Sequence, residues 1–388
     1  MFASGLADEE FRATVRDWLA RNLAGEFAGL RGAGGPGREH EAFEERLAFD
    51  RLLHAAGWTP LSWPREHGGA GATLSQQLIF HEEYARSGAP ARVSHMGEQL
   101  LGPTLIEFGT PDQQQRFLPA IAAVSELWCQ GFSEPGAGSD LASVATTGKL
   151  AGDHWEVTGQ KVWTSLAHVA DWCFVLARTE PGSRRSAGLS LLLVPMRQDG
   201  VTVRPIRQLT GTSEFNEVYF DGARADADLV LGQPGDGWRV ARFLLGVERG
   251  AATFGQQIQF RRELDDVIAH AKRTGAAADP ILRERIARAW VGLEVLRAYA
   301  LATIGGGTPA DASVGKLLWA RWHKALGELA MDVRGAEGLV AKAPPYELDA
   351  WQRLYLFSRA DTIYGGSDEI QLGIIAGRAL GLHPGGQR

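Results

Sequence analysis

From Asp8 to about Val124, apolar residues recur at helical spacing, as with Phe11, Val15, Trp18 and Leu19, and Gly and Pro punctuate the intervals. The pattern predicts a helical N-terminal third. Between about Leu127 and Leu231 the texture changes to short Val-, Thr- and aromatic-rich runs at 155–157, 172–176, 189–194, 201–206 and 218–220, separated by Gly-Asp, Pro-Gly and Asp-Gly turns. These runs predict a small β domain. After Gly235-Asp236-Gly237 the helical period returns, in segments long enough to pack as a bundle. The clearest segment has Asp279 as N-cap and Pro280 at the first helical position. It carries Leu282, Ile286, Trp290, Leu293 and Leu296 on one face and stops at Gly305. A final helix is expected from Ser367, where Asp368 and Glu369 suit the positive end of the helix dipole, to about Gly381.

Composition narrows the class. The 388 residues are 45% hydrophobic and 22% charged, the balance of a soluble globular protein of two or three domains. Forty Lys+Arg against 46 Asp+Glu give a net charge of -6, the wrong sign for a chain whose main task is gripping phosphate backbones, so no nucleic-acid partner is expected. Cys129 and Cys173 form no CxxC pair, so neither a metal site nor an oxidised framework is indicated and a reducing, cytoplasmic setting is expected. The acids at Asp8, Glu9 and Glu10 argue against a signal or transit peptide. The longest apolar run, around 189–196, is broken by Ser190 and Pro195 and falls far short of the ~20 residues of a membrane span.

Three stretches invite a chemical reading. Gly32, Gly34 and Gly37 formally satisfy GxGxxG, but no strand precedes them, Pro36 lies inside, and a flexible surface connection accounts for them better than a dinucleotide cradle. Gly315-Lys316 is followed by Leu317, so there is no phosphate-binding Walker loop. In the segment 132–140, Phe-Ser-Glu-Pro-Gly-Ala-Gly-Ser-Asp, Gly136 and Gly138 would let backbone approach a ligand, and Ser133 and Ser139 offer hydroxyls. An ordinary Pro/Gly turn is the competing reading. In Gly159-Gln160-Lys161-Val162-Trp163-Thr164-Ser165, Trp163 could lie flat on a planar cofactor and Ser165 could bond its edge, although most strand tryptophans are core.

Together with Tyr364-Gly-Gly-Ser-Asp-Glu-Ile-Gln371 and Trp63-Pro64-Arg65-Glu66-His67-Gly68-Gly69, and in this order and spacing, these motifs resemble the acyl-CoA dehydrogenase family over essentially the whole chain. The resemblance implies an α+β multidomain fold: an N-terminal α-helical domain (1–125), a central β-barrel domain (126–232) and a C-terminal four-helix bundle (233–388). It implies FAD between the last two and at a subunit interface, an acyl-CoA substrate, an electron-transfer flavoprotein as acceptor, and a homo-oligomer, dimer or tetramer. Carried onto matching positions, it implies that Gln130, Phe132 and Ser133 line the flavin ring and that Gly138 and Ser139 lie near flavin and CoA. Trp163 and Ser165 would cover its face and edge, and Ser367 and Glu369 would contact it from the last helix. Ser165 stands where Thr is usual and Glu369 where Gln is common. The positions that often hold the adenine half depart further: no Arg-x-x-Phe-Gly stretch follows near Arg273, Asp332 replaces a frequent Gln, and Gly335-Ala336-Glu337-Gly338 replaces a Gly-Gly-x-Gly turn.

The chemistry the resemblance implies needs a base to remove a proton α to a thioester carbonyl, and donors to hold the carbonyl oxygen as charge develops on it. In many members the base is a Glu before the Gly of the C-terminal motif; here that position is Gly365. Members resembling the long-chain and isovaleryl-CoA enzymes instead place it at the start of the C-terminal bundle, and Glu248, in Gly246-Val247-Glu248-Arg249-Gly250, matches. Arg249 matches an adjacent site-ordering arginine, Tyr364 could wall the acyl channel, and the Gly365 N–H would be the carbonyl donor. Helical spacing puts Glu248 with Ala241, Leu245, Ala252 and Gly255 on a small, apolar face, where desolvation would raise its pKa and strengthen it as a base. Pairing near Arg249 or pointing to solvent are the alternatives for Glu248. For the protein, the alternatives are an oxidase of the same fold or a catalytically silent flavin-binding subunit of a heteromer.

Overall fold

The computed structural model describes residues 6–247, 252–303, 308–343 and 346–382, and these form two compact units. The first takes in 1–79, 87–208 and 212–250; the second takes in 80–86, 209–211 and 251–388.

The N-terminal third is helical: α1 (Asp8–Asn22), α2 (Phe43–Ala55), α3 (Leu74–Ser87), α4 (Gly102–Phe108) and α5 (Pro111–Ala122). On α1 the periodic Phe11, Val15 and Leu19 are the buried residues. Helix α5 starts at a reciprocal cap, in which Thr110 accepts from the Gln113 N–H and the Gln113 side chain accepts from the Thr110 N–H. The Gln113 amide also donates to Val230 O at 2.9 Å, so a single side chain both starts the helix and ties it to the β domain.

That domain is an eight-stranded sheet: β1 (Trp128–Gly131), β2 (Thr147–Ala151), β3 (His154–Ser165), β4 (Trp172–Arg178), β5 (Leu189–Pro195), β6 (Val201–Ile206), β7 (Phe215–Asp226) and β8 (Val230–Leu231). The order is β6-β7-β3-β2-β4-β5-β8, with β1 beside β4. The end strands are not paired with each other, so "barrel" describes the sheet only loosely. The near-continuous apolar run of β5 follows from burial on both faces. Leu189, Leu191 and Leu193 join a core with Phe117, Leu118 and Leu244, while Leu192 and Val194 point into a second core with Val157, Val218 and Phe220. Helix α6 (Gly237–Val247) supplies Val240, Ala241 and Leu244 to the first of these cores and falls in the first unit.

The second unit is built on α7 (Ala252–Thr274), α8 (Pro280–Thr303), α9 (Pro309–Arg334), α10 (Ala350–Phe357) and α11 (Asp368–Ile374). Its core takes Phe260, Leu264, Val267 and Ala271 from α7 at steps of four, three and four, with Leu293 and Leu296 from α8 and Leu326, Leu329, Ala330 and Val333 from α9. Asp279 caps α8 by accepting from the Ile281 N–H at 2.8 Å. The expected apolar face of α8 is interrupted at one position: Leu293 and Leu296 are buried, but Trp290 is 44% exposed, its ring under the Arg261 guanidinium. The Gly-rich stretch 32–37 also differs from a loose connection. It wraps the fully buried Arg46, whose guanidinium donates to the carbonyls of Ala91, Glu39 and Glu41. A side chain at Gly34 would strike that guanidinium.

Candidate active site

Strand β1 runs parallel to β4 with Gln130 opposite Phe174, and the chain then turns sharply through 132–140. The turn is closed by reciprocal backbone bonds between Glu134 and Ala137, each 3.0 Å. Its anchor is ionic. The Glu134 carboxylate accepts from the Ala145 and Thr146 N–H groups at 2.7 and 2.9 Å and from Lys161 Nζ at 2.8 Å. Lys161, 0% exposed, also donates to Phe132 O at 3.1 Å and Leu176 O at 2.7 Å, so all three ammonium protons find acceptors. Burial works against the charge on Glu134, but the Lys161 ammonium and the amide donors outweigh it and hold its pKa below the usual value. Both residues belong to the sequence motifs, yet neither was assigned a role from sequence.

Strand β3 carries the planar group. The β3–β7 ladder slips between the pairs Lys161–Val218 and Thr164–Asn216, so 162 and 163 bulge outward against one partner residue. Trp163 sits there at φ 59°, its indole 58% exposed and edge-on to Phe215 at 6.1 Å. A left-handed backbone and a solvent-facing indole are both costly, and strain of this kind concentrates at ligand sites. The Val162 N–H donates to Ser133 O at 2.9 Å, which joins the bulge to the 132–140 turn.

Gln130, Ser133 and Ser165 are half-buried, and Gly138 and Ser139 are exposed. Side chains built at Gly136 or Gly138 would meet no protein atom within 4 Å. The Phe132 ring is buried against Phe174, and its carbonyl accepts from Lys161. A flavin needs a flat apolar surface and donors along its edge. The exposed indole, the Ser133 and Ser165 hydroxyls and the open glycine turn fit that requirement.

In the second unit, Tyr364, Gly365 and Ser367 fall on the turn leading into α11, and Glu369 stands in the first turn of that helix. Gly365 and Gly366 have φ 62° and 93°, a conformation that glycine adopts without strain. The buried Gln371 folds back and donates to Gly365 O and Gly366 O at 3.1 and 3.3 Å. Among the described residues, no hydrogen bond takes up the Gly365 N–H. The Ser367 hydroxyl caps α11 by accepting from the Ile370 N–H at 3.4 Å, and Glu369 is exposed. Glu248 and Arg249 lie outside the described residues. Among the described residues no cluster of His, Cys, Asp or Glu could hold a metal, and no helix is long and apolar enough to cross a membrane.

This order of N-terminal helices, a β sheet with a bulged, outward tryptophan, and C-terminal helices with a glycine turn before α11 is matched throughout by one family of flavin-dependent oxidoreductases. The chain belongs to the acyl-CoA dehydrogenase family. It matches the family's N-terminal domain over 7–125, its middle domain over 129–223 and its C-terminal domain over 235–380. It is 66% identical over 377 residues to acyl-CoA dehydrogenase IpdE1 of Mycobacterium tuberculosis, covering 96% of this chain and 97% of that protein. Among solved structures it is similar to the Tcur3481-Tcur3483 steroid ACAD, with 28% identity, TM-score 0.83 and 99% of both chains covered. It is also similar to the ChsE4-ChsE5 complex from Mycobacterium tuberculosis, with 29% identity, TM-score 0.82, and 99% of this chain and 100% of that one covered. As a member of the family it is an FAD-dependent enzyme that dehydrogenates acyl-CoA thioesters.

Proposed function

We propose that the chain converts an acyl-CoA to the trans-2-enoyl-CoA, with Glu248 removing the α-proton and the Gly365 N–H holding the thioester carbonyl oxygen. Bound FAD would supply the hydride acceptor for the β-hydrogen, at flavin N5. Gln130, Phe132, Ser133, Gly138, Ser139, Trp163, Ser165, Ser367 and Glu369 would hold the cofactor. Ser139, Arg249 and Tyr364 contribute to the substrate site. The observation that carries the cofactor assignment is Trp163, strained and outward-facing on a bulge tied to the Ser133 turn. The assignment of the base is supported by Gly365, which has no carboxylate to offer, and by the place of Glu248 directly after α6 in the chain.

An acidic hydrogen α to a thioester becomes accessible to a carboxylate base only if the developing enolate oxygen is stabilised at the same moment. The two groups therefore act as a unit. Electrons then leave to an electron-transfer flavoprotein. A steroid-derived acyl group is the substrate class favoured by the similarity to the steroid ACAD.

A second reading concerns assembly: another chain supplies the adenosine contacts. Asp332, at a position where the family often has Gln, has its carboxylate engaged by Arg285 Nη1 at 2.6 Å, and one of the similar solved structures is a complex of two differently named chains.

Anaerobic titration of the purified flavoprotein with a panel of straight, branched, aromatic and steroid-linked acyl-CoAs tests the function. At least one member is expected to bleach the flavin, and its enoyl-CoA to accumulate in equal amount. Peroxide release in air without an added acceptor would point to the oxidase, and failure of every thioester to bleach the flavin would point to the silent subunit. Trp163→Ala is expected to weaken FAD retention roughly tenfold or more, the scale of a lost aromatic stacking contact. It should leave the thermal midpoint of the apoprotein nearly unchanged, because the indole is already in solvent; equilibrium dialysis and a melting curve check both.

A further inference from the structure

A buried ionic chain in the second unit ends at the glycine turn. On α9, Trp319, His323, Leu326 and Ala330 follow at steps of four, three and four, so His323 falls on the stripe that fills the core. Burying an imidazole there requires partners for both ring nitrogens. Nδ1 lies 2.5 Å from Asp361 Oδ2 and Nε2 lies 2.9 Å from Glu263 Oε2, while the Phe260 ring stacks on the imidazole at 4.4 Å. With an acceptor on each side both nitrogens are donors, and the ring is an imidazolium. Burial opposes that charge, but the hydrogen bonds to Asp361 and Glu263 overcome it and raise the pKa to about 9.

Asp361 is 1% exposed and spends its other carboxylate oxygen on the Tyr364 hydroxyl, at 2.7 Å. Lys316 Nζ donates to the Asp361 carbonyl at 2.5 Å and lies 4.6 Å from the Tyr364 ring centre. The residues that follow, Gly365 and Gly366, are conformationally permissive and have no side chains to anchor them. Their geometry must therefore be set from outside, by Gln371 downstream and by Tyr364 upstream.

We propose that His323, clamped between Glu263 and Asp361, is a positioning residue for the thioester: it fixes Asp361, Asp361 fixes Tyr364, and the tyrosine sets where the Gly365 N–H stands. This rests on the assignment of that N–H as the carbonyl donor. The substrate never touches His323; an unpaired Asp361 carboxylate would swing or take up a proton, and the turn would lose its upstream tether.

The test uses the FAD-loaded enzyme and the trans-2-enoyl-CoA, labelled with carbon-13 at C1, of whichever panel member bleaches the flavin fastest. Infrared difference spectra report hydrogen bonding to the labelled carbonyl, and anaerobic stopped-flow mixing with the parent acyl-CoA reports flavin reduction. In the unaltered enzyme the carbonyl stretch is expected to fall below its value in water. Tyr364→Phe, at a residue 40% exposed, and His323→Gln are each expected to return part of that shift and to slow reduction roughly tenfold, the scale of a misplaced rather than deleted group. FAD content should be unchanged, and the double variant no slower than either single one, because both act through one device.

Single variants with the parental carbonyl stretch and rate overturn the proposal, as does a double variant that loses the product of the two single effects. Should His323→Gln fail to fold, Tyr364→Phe decides alone. A carbonyl stretch in the unaltered enzyme equal to that in water overturns the Gly365 assignment and this inference together, whereas a lowered stretch that the variants leave intact overturns this inference only.

Discussion

Glu134→Ala is expected to destabilise the first unit by about 3–5 kcal/mol, the cost of leaving one member of a buried ion pair without its partner. The ammonium of Lys161 has no route to water at 0% exposure, and two amide donors, from Ala145 and Thr146, lose their acceptor at the same time. For a unit of this size that is a fall on the order of 10 °C in thermal midpoint. FAD should be lost with it, since the same side chain holds the turn that Ser133 and Gly138 occupy. Glu134→Gln keeps an oxygen for Lys161 and should recover part of the loss. The sign with pH follows from the lowered carboxylate pKa. The stabilisation is complete above the ordinary carboxylate range and disappears as pH falls through the lowered value. A melting curve for Glu134→Ala within a degree or two of the parent would show that the pair does not hold the turn.

The stretches legible in the sequence were those where a local pattern and the packing agree. The run at 189–194 was readable as a strand because both of its faces are buried, and the 172–176 run because its residues alternate between the same two cores. Strands β1 and β2 were not readable: four and five residues, with Gly131 and Gly148 inside them, carry too little alternation. Gly131 is there because a side chain would press on Cys173 Sγ at 2.9 Å, a cause that no single-strand pattern contains. The sequence pattern puts Trp290 on the core face of α8, but a four-residue step, repeated, drifts around a helix of 3.6 residues per turn.

At the site, Trp163 and the 133–139 turn stood out as unusual local chemistry, but what holds them is charge in places where charge is ordinarily absent. Lys161 and Glu134 are 27 residues apart, and a buried pair so separated leaves no periodic trace. A signal did exist for His323: a titratable residue on an apolar helical stripe demands partners, and Asp361 and Glu263 are those partners. The same logic applies to Arg46, on a helix whose neighbouring loop is wrapped around it.

One carboxylate, Glu248, is proposed to start the reaction. Glu248→Gln preserves size and hydrogen-bonding shape but cannot accept the α-proton, and Gly365 at the alternative position has no group to take its place. Positioned acid–base catalysis contributes about 10²–10⁴ in rate. Glu248 is not among the proposed cofactor contacts, so FAD should remain bound at full occupancy with an unaltered oxidised spectrum. The direct measurement is anaerobic stopped-flow mixing of the Glu248→Gln holoenzyme with the best acyl-CoA of the panel, followed at the flavin absorbance. The expected result is FAD-replete protein whose flavin bleaches at least a hundredfold more slowly than in the parent; bleaching at the parental rate would contradict the account.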